Sequence, residues 1–362
     1  MYKPSPSLAR LFYIPGVIYL AGVCLRNRAF DAGFLHVRSL TRPVVSIGNL
    51  TLGGTGKTPF VIYLAGLLKE MDCGAAVLTR GYGRRKSEKN IVLQPGENVD
   101  LAASRIGDEP MLIRRRLPEA WLGVSSNRFC AANAIAQHRE FDERMVFIMD
   151  DGFQHRGIRR DLDVVMIDPA QPPYTERLFP AGGLREPVSE LRRAHVIVIN
   201  GTETSGGVGA KNTGVDTIIE GLRKYAPNAD FFHCIQRIKT VIPFSVWLGC
   251  HVPRDLPLQP GNAFLVAAIG NPARFRQDVQ GFGIEIRGCA FFRDHSEIDE
   301  KGWEKCVSAA RKTKAEAIII TEKDAVKISR PPDYPLLVAI QNTELPEAAR
   351  FRKILRRCIR GF

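Results

Sequence analysis

The sequence has no Cys-x-x-Cys pair. Its 8 cysteines are scattered, which suggests neither a zinc site nor a disulfide framework, so a reducing cytoplasm is the simplest setting. Long apolar runs are missing too. The uncharged segment LFYIPGVIYLAGVCL, between Arg10 and Arg26, is about 15 residues long, short of the roughly 20 that span a bilayer as a helix. No clean small-x-small cleavage site follows it, which sets aside a signal peptide despite Lys3 and Arg10 ahead of it. Acidic residues are outnumbered. With 51 Lys and Arg against 38 Asp and Glu, the net charge of +13 implies an acidic partner: a nucleotide, nucleic acid or an anionic membrane surface. Few aromatics interleave with the basic runs and no nucleic-acid reading motif is present, so no nucleic-acid partner is expected.

What is there, in 362 residues with room for two packed domains, centres on VVSIGNLTLGGTGKT, Val44 to Thr58. An apolar β-branched run, a glycine-rich turn and a following apolar stretch from Phe60 to Leu68 read as strand, phosphate loop and helix. Leu52, Gly53, Gly54, Thr55 and Gly56 would turn backbone N–H groups around phosphate oxygens, and the helix adds the positive end of its dipole. Lys57 would reach the β- and γ-phosphates, and the Thr58 hydroxyl would ligate Mg2+. The usual pattern has glycine where Thr51 stands. A glycine turn that merely joins strand to helix would need no lysine and threonine together. The loop also resembles that of the partition and metal-insertion ATPases, which act on a protein partner, but their extra lysine is replaced by Leu52.

Downstream the chain alternates between strands and helices as a mostly parallel α/β sheet does, and loops after strand C-termini line the ligand crevice of such a sheet. A strand over 75–78 empties into the basic, glycine-punctuated loop around Tyr82. Asp108 is expected to cap a helix with Glu109 beside it, an arrangement that the helix dipole alone explains. Arg128, at the mouth of another helix, contacts phosphate or is simply solvated. Met145 to Asp151 is an apolar strand ending in paired aspartates. Asp150 and Asp151 would repel one another at a buried strand end without a cation nearby, which suits the Mg2+ side of a phosphate-loop site. Gln154 and His155 follow as candidate ligands of a phosphate or sugar.

The final third has its own α/β rhythm. We therefore expect an N-terminal apolar helix (1–30), a phosphate-loop domain (31–230), an extended linker (231–260) and a smaller α/β domain (261–362). The N-terminal segment reads either as an interfacial helix, anchored by Tyr13, Tyr19, Arg10, Arg26 and Arg28, or as a helix packed on the core.

Gly48 to Pro59, Thr79 to Gly83 (ThrArgGlyTyrGly), Gly107 to Pro110 (GlyAspGluPro), Asp150 to His155 (AspAspGlyPheGlnHis) and Phe179 to Pro187 (PheProAlaGlyGlyLeuArgGluPro) form an ordered set. With Gly270 to Pro272, Asp294-His295 and Thr321 to Lys327, that set resembles the tetraacyldisaccharide 4'-kinases of lipid A synthesis. The resemblance implies transfer of the ATP γ-phosphate to the 4'-hydroxyl of an acylated disaccharide 1-phosphate lipid, giving lipid IVA. The setting would be the cytoplasmic face of the bacterial inner membrane, with the protein peripheral or monotopic and no obligate protein partner. It implies Asp108 as base with His295 as its partner. Glu109, Asp150 and Asp151 would serve Mg2+, and Lys57 and Arg128 the phosphates. Tyr82, Gln154, His155, Arg185 and Glu186 would serve the lipid headgroup or order the site. An acylated substrate favours the interfacial reading of the N-terminal helix, and the basic cluster Arg350, Arg352, Lys353, Arg356, Arg357 and Arg360 would face headgroups or solvent.

Overall fold

A computed structural model describes residues 13–81, 90–97, 106–201, 213–249, 260–294 and 296–359. Its strands are β1 (Val44–Gly48), β2 (Gly74–Thr79), β3 (Asn90–Leu93), β4 (Trp121–Ser125), β5 (Met145–Asp150) and β6 (Leu162–Ile167). They continue with β7 (Val196–Gly201), β8 (Asp230–Pro243), β9 (Asn262–Ala267), β10 (Glu285–Phe291), β11 (Ala317–Thr321) and β12 (Leu336–Glu344). All belong to one 12-stranded sheet in the order β10-β9-β11-β12-β8-β7-β6-β1-β5-β2-β4-β3. The helices are α1 (Tyr13–Asp31), α2 (Lys57–Lys69), α3 (Asp108–Arg116), α4 (Arg128–Ala136), α5 (Thr213–Arg223) and α6 (Phe244–Leu248). They end with α7 (Pro272–Gly281), α8 (Glu300–Lys312), α9 (Glu322–Ala325) and α10 (Ala348–Ile359).

Every residue of β1, β5, β6 and β7 is buried. That is why these strands read as continuous apolar runs, the pattern of a parallel sheet covered on both faces. The sheet is parallel in two blocks. From β8 to β4 the strands run one way and from β12 to β10 the other, with the reversal at the antiparallel β8/β12 pair. Six steps separate β9 from β1 in the strand order. At about 20–25° of twist per step, the accumulated rotation is about 120–150°, enough to turn two opposed blocks so that both sets of strand C-termini face one cleft.

The stretch expected as a linker is, in its first half, the long strand β8, hydrogen-bonded to β7 on one side and β12 on the other. Its polar residues hid it: His233, Gln236, Arg237 and Lys239 interrupt the apolar pattern. β3 also went unread, being only 4 residues long and antiparallel at the sheet edge.

α1 is docked by one side and open on another. Tyr19 donates its hydroxyl to the Arg185 carbonyl at 2.8 Å, Arg26 reaches Glu186 at 2.9 Å, and Asn27 is buried. Tyr19 and Arg26, expected as headgroup anchors, are thus turned inward. Ile14, Ile18 and Leu25 remain 70%, 67% and 71% exposed. Among the described residues no helix is long and apolar enough to cross a membrane. α10 packs Phe351 and Leu355 inward, with Phe351 edge-on to Phe60 of α2, and exposes Lys353, Arg356 and Arg357. Arg350 and Arg352 pair with Asp230 and Glu70 instead.

Candidate active site

β1 delivers the chain into the phosphate loop beside the tip of β5, since Ile47 pairs with Asp150 across the two parallel strands. Gly48 has to be glycine here. A Cβ would lie 2.6 Å from the backbone nitrogen of the buried Phe153. The Thr51 departure has a structural cause: Thr51 is held extended in an antiparallel bridge to Leu184, flanked by Leu52 N–H to Gly183 O (2.7 Å) and Arg185 N–H to Leu50 O (2.8 Å). No left-handed backbone is needed at that point. It falls to Gly53 (φ 118°) and Gly56 (φ 81°). Gly56 then caps α2 with no side chain on its first N–H groups, and the first turn of α2 carries no acidic residue, which leaves a helix N-terminus open to an anion.

Lys57 Nζ stands 3.4 Å from Asp151 Oδ1, and Arg185 Nη1 donates to both Asp151 oxygens at 2.8 Å. Burial alone would raise Asp151, but Lys57 and Arg185 outweigh it and hold its pKa at about 2. Asp151 also adopts φ 51°, a conformation that costs energy in a non-glycine residue and recurs at functional sites. Its neighbour behaves oppositely. Asp150 is pushed up to about 7, by burial first and then by the negative charges of Glu109 and Asp151. Thr79 donates to its Oδ2 at 3.3 Å, while Oδ1 is buried without a partner. A buried carboxylate with an orphaned oxygen, in the same cleft as Thr58, fits a magnesium ion. Among the described residues no three His, Cys, Asp or Glu side chains gather as a metal cage.

Arg128 resolves its own ambiguity: it is 5% exposed, not solvated, with its pKa lowered by burial and raised by Asp150 and Asp151 facing it. His155 is driven down to about 4 by burial and then by Arg128 and Arg160, so its imidazole is neutral at pH 7. Gln154 donates to the Asn49 carbonyl at 2.9 Å. Together with Arg185 these residues line one cleft of about 1020 Å³ that also holds the phosphate loop, Glu109, Asp294 and Lys323.

Two expectations need correcting. Asp108 does not cap α3. Gly107 (φ 99°) holds that position, and the Asp108 carboxylate lies 3.8 Å from Lys327 Nζ. Glu186 does not face the cleft. It is 1% exposed, and its carboxylate is engaged by Arg26, Arg193 and Asn27. Tyr82 and His295 lie outside the described residues.

Four further residues bear on the site. Lys323 pairs with Glu109 (3.8 Å) and Asp294 (3.5 Å), as Lys327 does with Asp108, so the α3 carboxylates are answered from α9 and the turn after it. Asn200 and Gln236 contact the phosphate loop from behind. An amide ending the apolar run ValIleValIle of β7 was a signal of the same kind as the aspartates ending β5.

A phosphate loop, a carboxylate strand tip beside it and a basic, buried surround define a nucleotide-dependent phosphotransferase of the α/β phosphate-loop class. The sequence matches the tetraacyldisaccharide-1-P 4'-kinase model over residues 8–360, and the chain belongs to that family. It is 33% identical to the tetraacyldisaccharide 4'-kinase of Geobacter metallireducens over 88% of each chain. It is 35% identical to that of Syntrophus aciditrophicus, over 90% of this chain and 86% of the relative. A crystal structure of LpxK from Aquifex aeolicus in complex with ATP superposes with a TM-score of 0.73 at 28% identity, covering 97% of this chain and 99% of that one. The partition and metal-insertion ATPase alternative draws no support from these likenesses.

Proposed function

We propose that the protein transfers the γ-phosphate of ATP to the 4'-hydroxyl of a tetraacylated disaccharide 1-phosphate, yielding lipid IVA, at the cytoplasmic face of the inner membrane. The observation that carries this reading is the convergence of Lys57, Asp150, Asp151 and Glu109 on one cleft, with Asp108 next to Glu109 at the start of α3 and paired with Lys327. Lys57 and the N–H groups of Gly53 to Thr58 hold the phosphates, with Arg128 neutralising charge from a buried position. Asp150, with Asp151, Glu109 and Thr58, would hold Mg2+, which would supply positive charge against the phosphates as negative charge develops on them. Asp108 accepts the proton of the sugar hydroxyl as that oxygen bonds the γ-phosphorus, and the bond from phosphorus to the β–γ bridging oxygen breaks to release ADP. His295 is the proposed partner of Asp108, and Tyr82, Gln154, His155 and Arg185 the proposed headgroup contacts. Glu186 acts at one remove, through α1. Residues 31–230 and 261–362 are the two proposed units, closing about the β8/β12 pair.

The acylated acceptor resides in a bilayer, and the exposed Ile14, Ile18 and Leu25 of α1 with the basic face of α10 give this chain a surface suited to one. Incubating the protein with labelled ATP, Mg2+ and detergent-dispersed disaccharide 1-phosphate tests the reading. Asp108→Ala and Lys57→Ala should each lower transfer by roughly a hundredfold or more. Full turnover in Asp108→Ala would remove that residue as the base.

A further inference from the structure

The backs of the phosphate-loop peptides are not bare. Asn200 Nδ2 donates to Thr55 O at 3.0 Å and, with its other hydrogen, to Gln236 Oε1 at 3.1 Å. Gln236 Nε2 donates to Gly56 O at 3.1 Å. Both side chains are buried, at 1% and 5% exposure. Their placement follows from the sheet: Asn200, next to last in β7, lies opposite Cys234 of β8, and Gln236, two residues further on, shares the face of Cys234.

The amide orientations are fixed by a group that can only donate. Arg274, at the start of α7, places Nη2 3.2 Å from Asn200 Oδ1 and Nη1 3.4 Å from Asn200 O. With Oδ1 engaged by a guanidinium, Nδ2 must face Thr55 O. With Gln236 Oε1 taken by Asn200, Nε2 must face Gly56 O. The order of donors runs from α7 through β7 and β8 to the loop.

A trans peptide plane carries its carbonyl and the next residue's N–H in opposite directions. Fixing Thr55 O and Gly56 O from behind therefore fixes the direction of the Gly56 and Lys57 N–H groups on the other side, where the phosphates of a bound nucleotide would sit. Gly56 itself leaves room for this contact. A Cβ there would stand 2.2 Å from Asn200 Nδ2 and 2.5 Å from Gln236 Nε2.

We infer that Asn200 and Gln236 are positioning residues for the triphosphate, aiming two phosphate-loop N–H groups through their carbonyls, with Arg274 holding the pair in register. The inference rests on the nucleotide-dependent reading of the cleft and does not depend on which acceptor is phosphorylated.

The test uses the full chain with Asn200→Leu and Gln236→Met, which keep volume close to native, add no charge and remove the donors. Calorimetric titration with MgATP and with AMP, melting without nucleotide, and steady-state kinetics with the disaccharide lipid are the readouts. Each variant should weaken ATP about tenfold, about the loss of one hydrogen bond to a charged array. AMP affinity and the KM for the lipid should stay near wild type, while the nucleotide-free melting temperature falls by a few degrees as Thr55 O, Gly56 O and Arg274 lose buried partners. The double variant should weaken ATP by less than the product of the two single effects, because the pair acts as one chain. ATP affinity within twofold of wild type in both variants would overturn the inference. So would equal losses for ATP and AMP, or failure of both variants to fold, since each would make the pair a general support. A wild-type protein that binds ATP yet leaves the lipid unmodified would defeat the proposed reaction while the affinity measurements still decide this one.

Discussion

Lys327 Nζ lies 3.8 Å from Asp108 Oδ2 and 3.5 Å from Asp324 Oδ1, so a lysine just after α9 is the counter-charge of a carboxylate at the start of α3. Lys327 and Asp324 are both nearly inaccessible. Removing the ammonium group leaves the buried Asp324 without an ionic partner there, a change that costs about 3–5 kcal/mol in comparable buried pairs. Lys327→Met is expected to lower the melting temperature by several degrees and kcat by about tenfold, with Lys327→Arg restoring most of the stability. Thermal melts and initial rates on the same preparations check both.

Glu186 ties α1 to the molecule. Its buried carboxylate takes Arg26 from α1 and Arg193 from the body, and Asn27 adds a third donor. Burial raises its pKa while the two arginines oppose the rise. Glu186→Ala leaves the buried Arg193 with Glu190 (2.8 Å) as its carboxylate partner and releases Arg26, so we expect a loss of about 1–3 kcal/mol and faster tryptic cleavage after Arg26 and Arg28. Denaturant unfolding and timed proteolysis are the measurements. A variant with native stability and an unchanged cleavage rate would remove Glu186 as the anchor.

Exposed Ile14 and Ile18 lie on α1 one turn apart. Replacing both by Asp puts two charges where an interfacial helix needs apolar surface, without touching Tyr19, Arg26 or Asn27. Sedimentation with vesicles containing anionic lipid should fall at least tenfold, while circular dichroism stays native. Undiminished binding would move the membrane contact elsewhere, with exposed Lys353, Arg356 and Arg357 of α10 the next surface to alter.

How far the sequence revealed this arrangement depended on where each signal lay. Strand tips were legible, because apolar runs ending at Gly48 or Asp150 carry both the element and its functional residue within a few positions. The cofactor loop was legible for the same reason. Contacts that close across the sheet were not. Glu186 meets Arg26 from 160 positions away, and nothing local distinguishes a buried carboxylate held by arginines from one awaiting a sugar. Lys327 and Asp108 come together only because the twist of the sheet brings α9 to α3. β8 was hidden by Gln236 and its neighbours, polar for the sake of the phosphate loop and the strand's exposed positions.

Asp278 provides a test by pH. It sits on α7, accepts a hydrogen bond from Gln341 Nε2 at 3.3 Å, and is raised from 3.8 to about 6, chiefly by burial, with Arg274 opposing. An acid whose native pKa is raised favours the folded state only while protonated in it. Below pH 4 both states hold the proton and there is no penalty. Between pH 4 and 6 the unfolded chain releases it first, and above pH 6 the native state carries the full cost of the buried charge. Asp278→Asn keeps the shape and removes that cost. Melting curves taken without nucleotide should therefore coincide for variant and wild type near pH 4 and separate as pH rises, with the variant the more stable at pH 8. Equal melting temperatures at pH 8, or a variant less stable there, would show that the Asp278 charge is matched by Arg274.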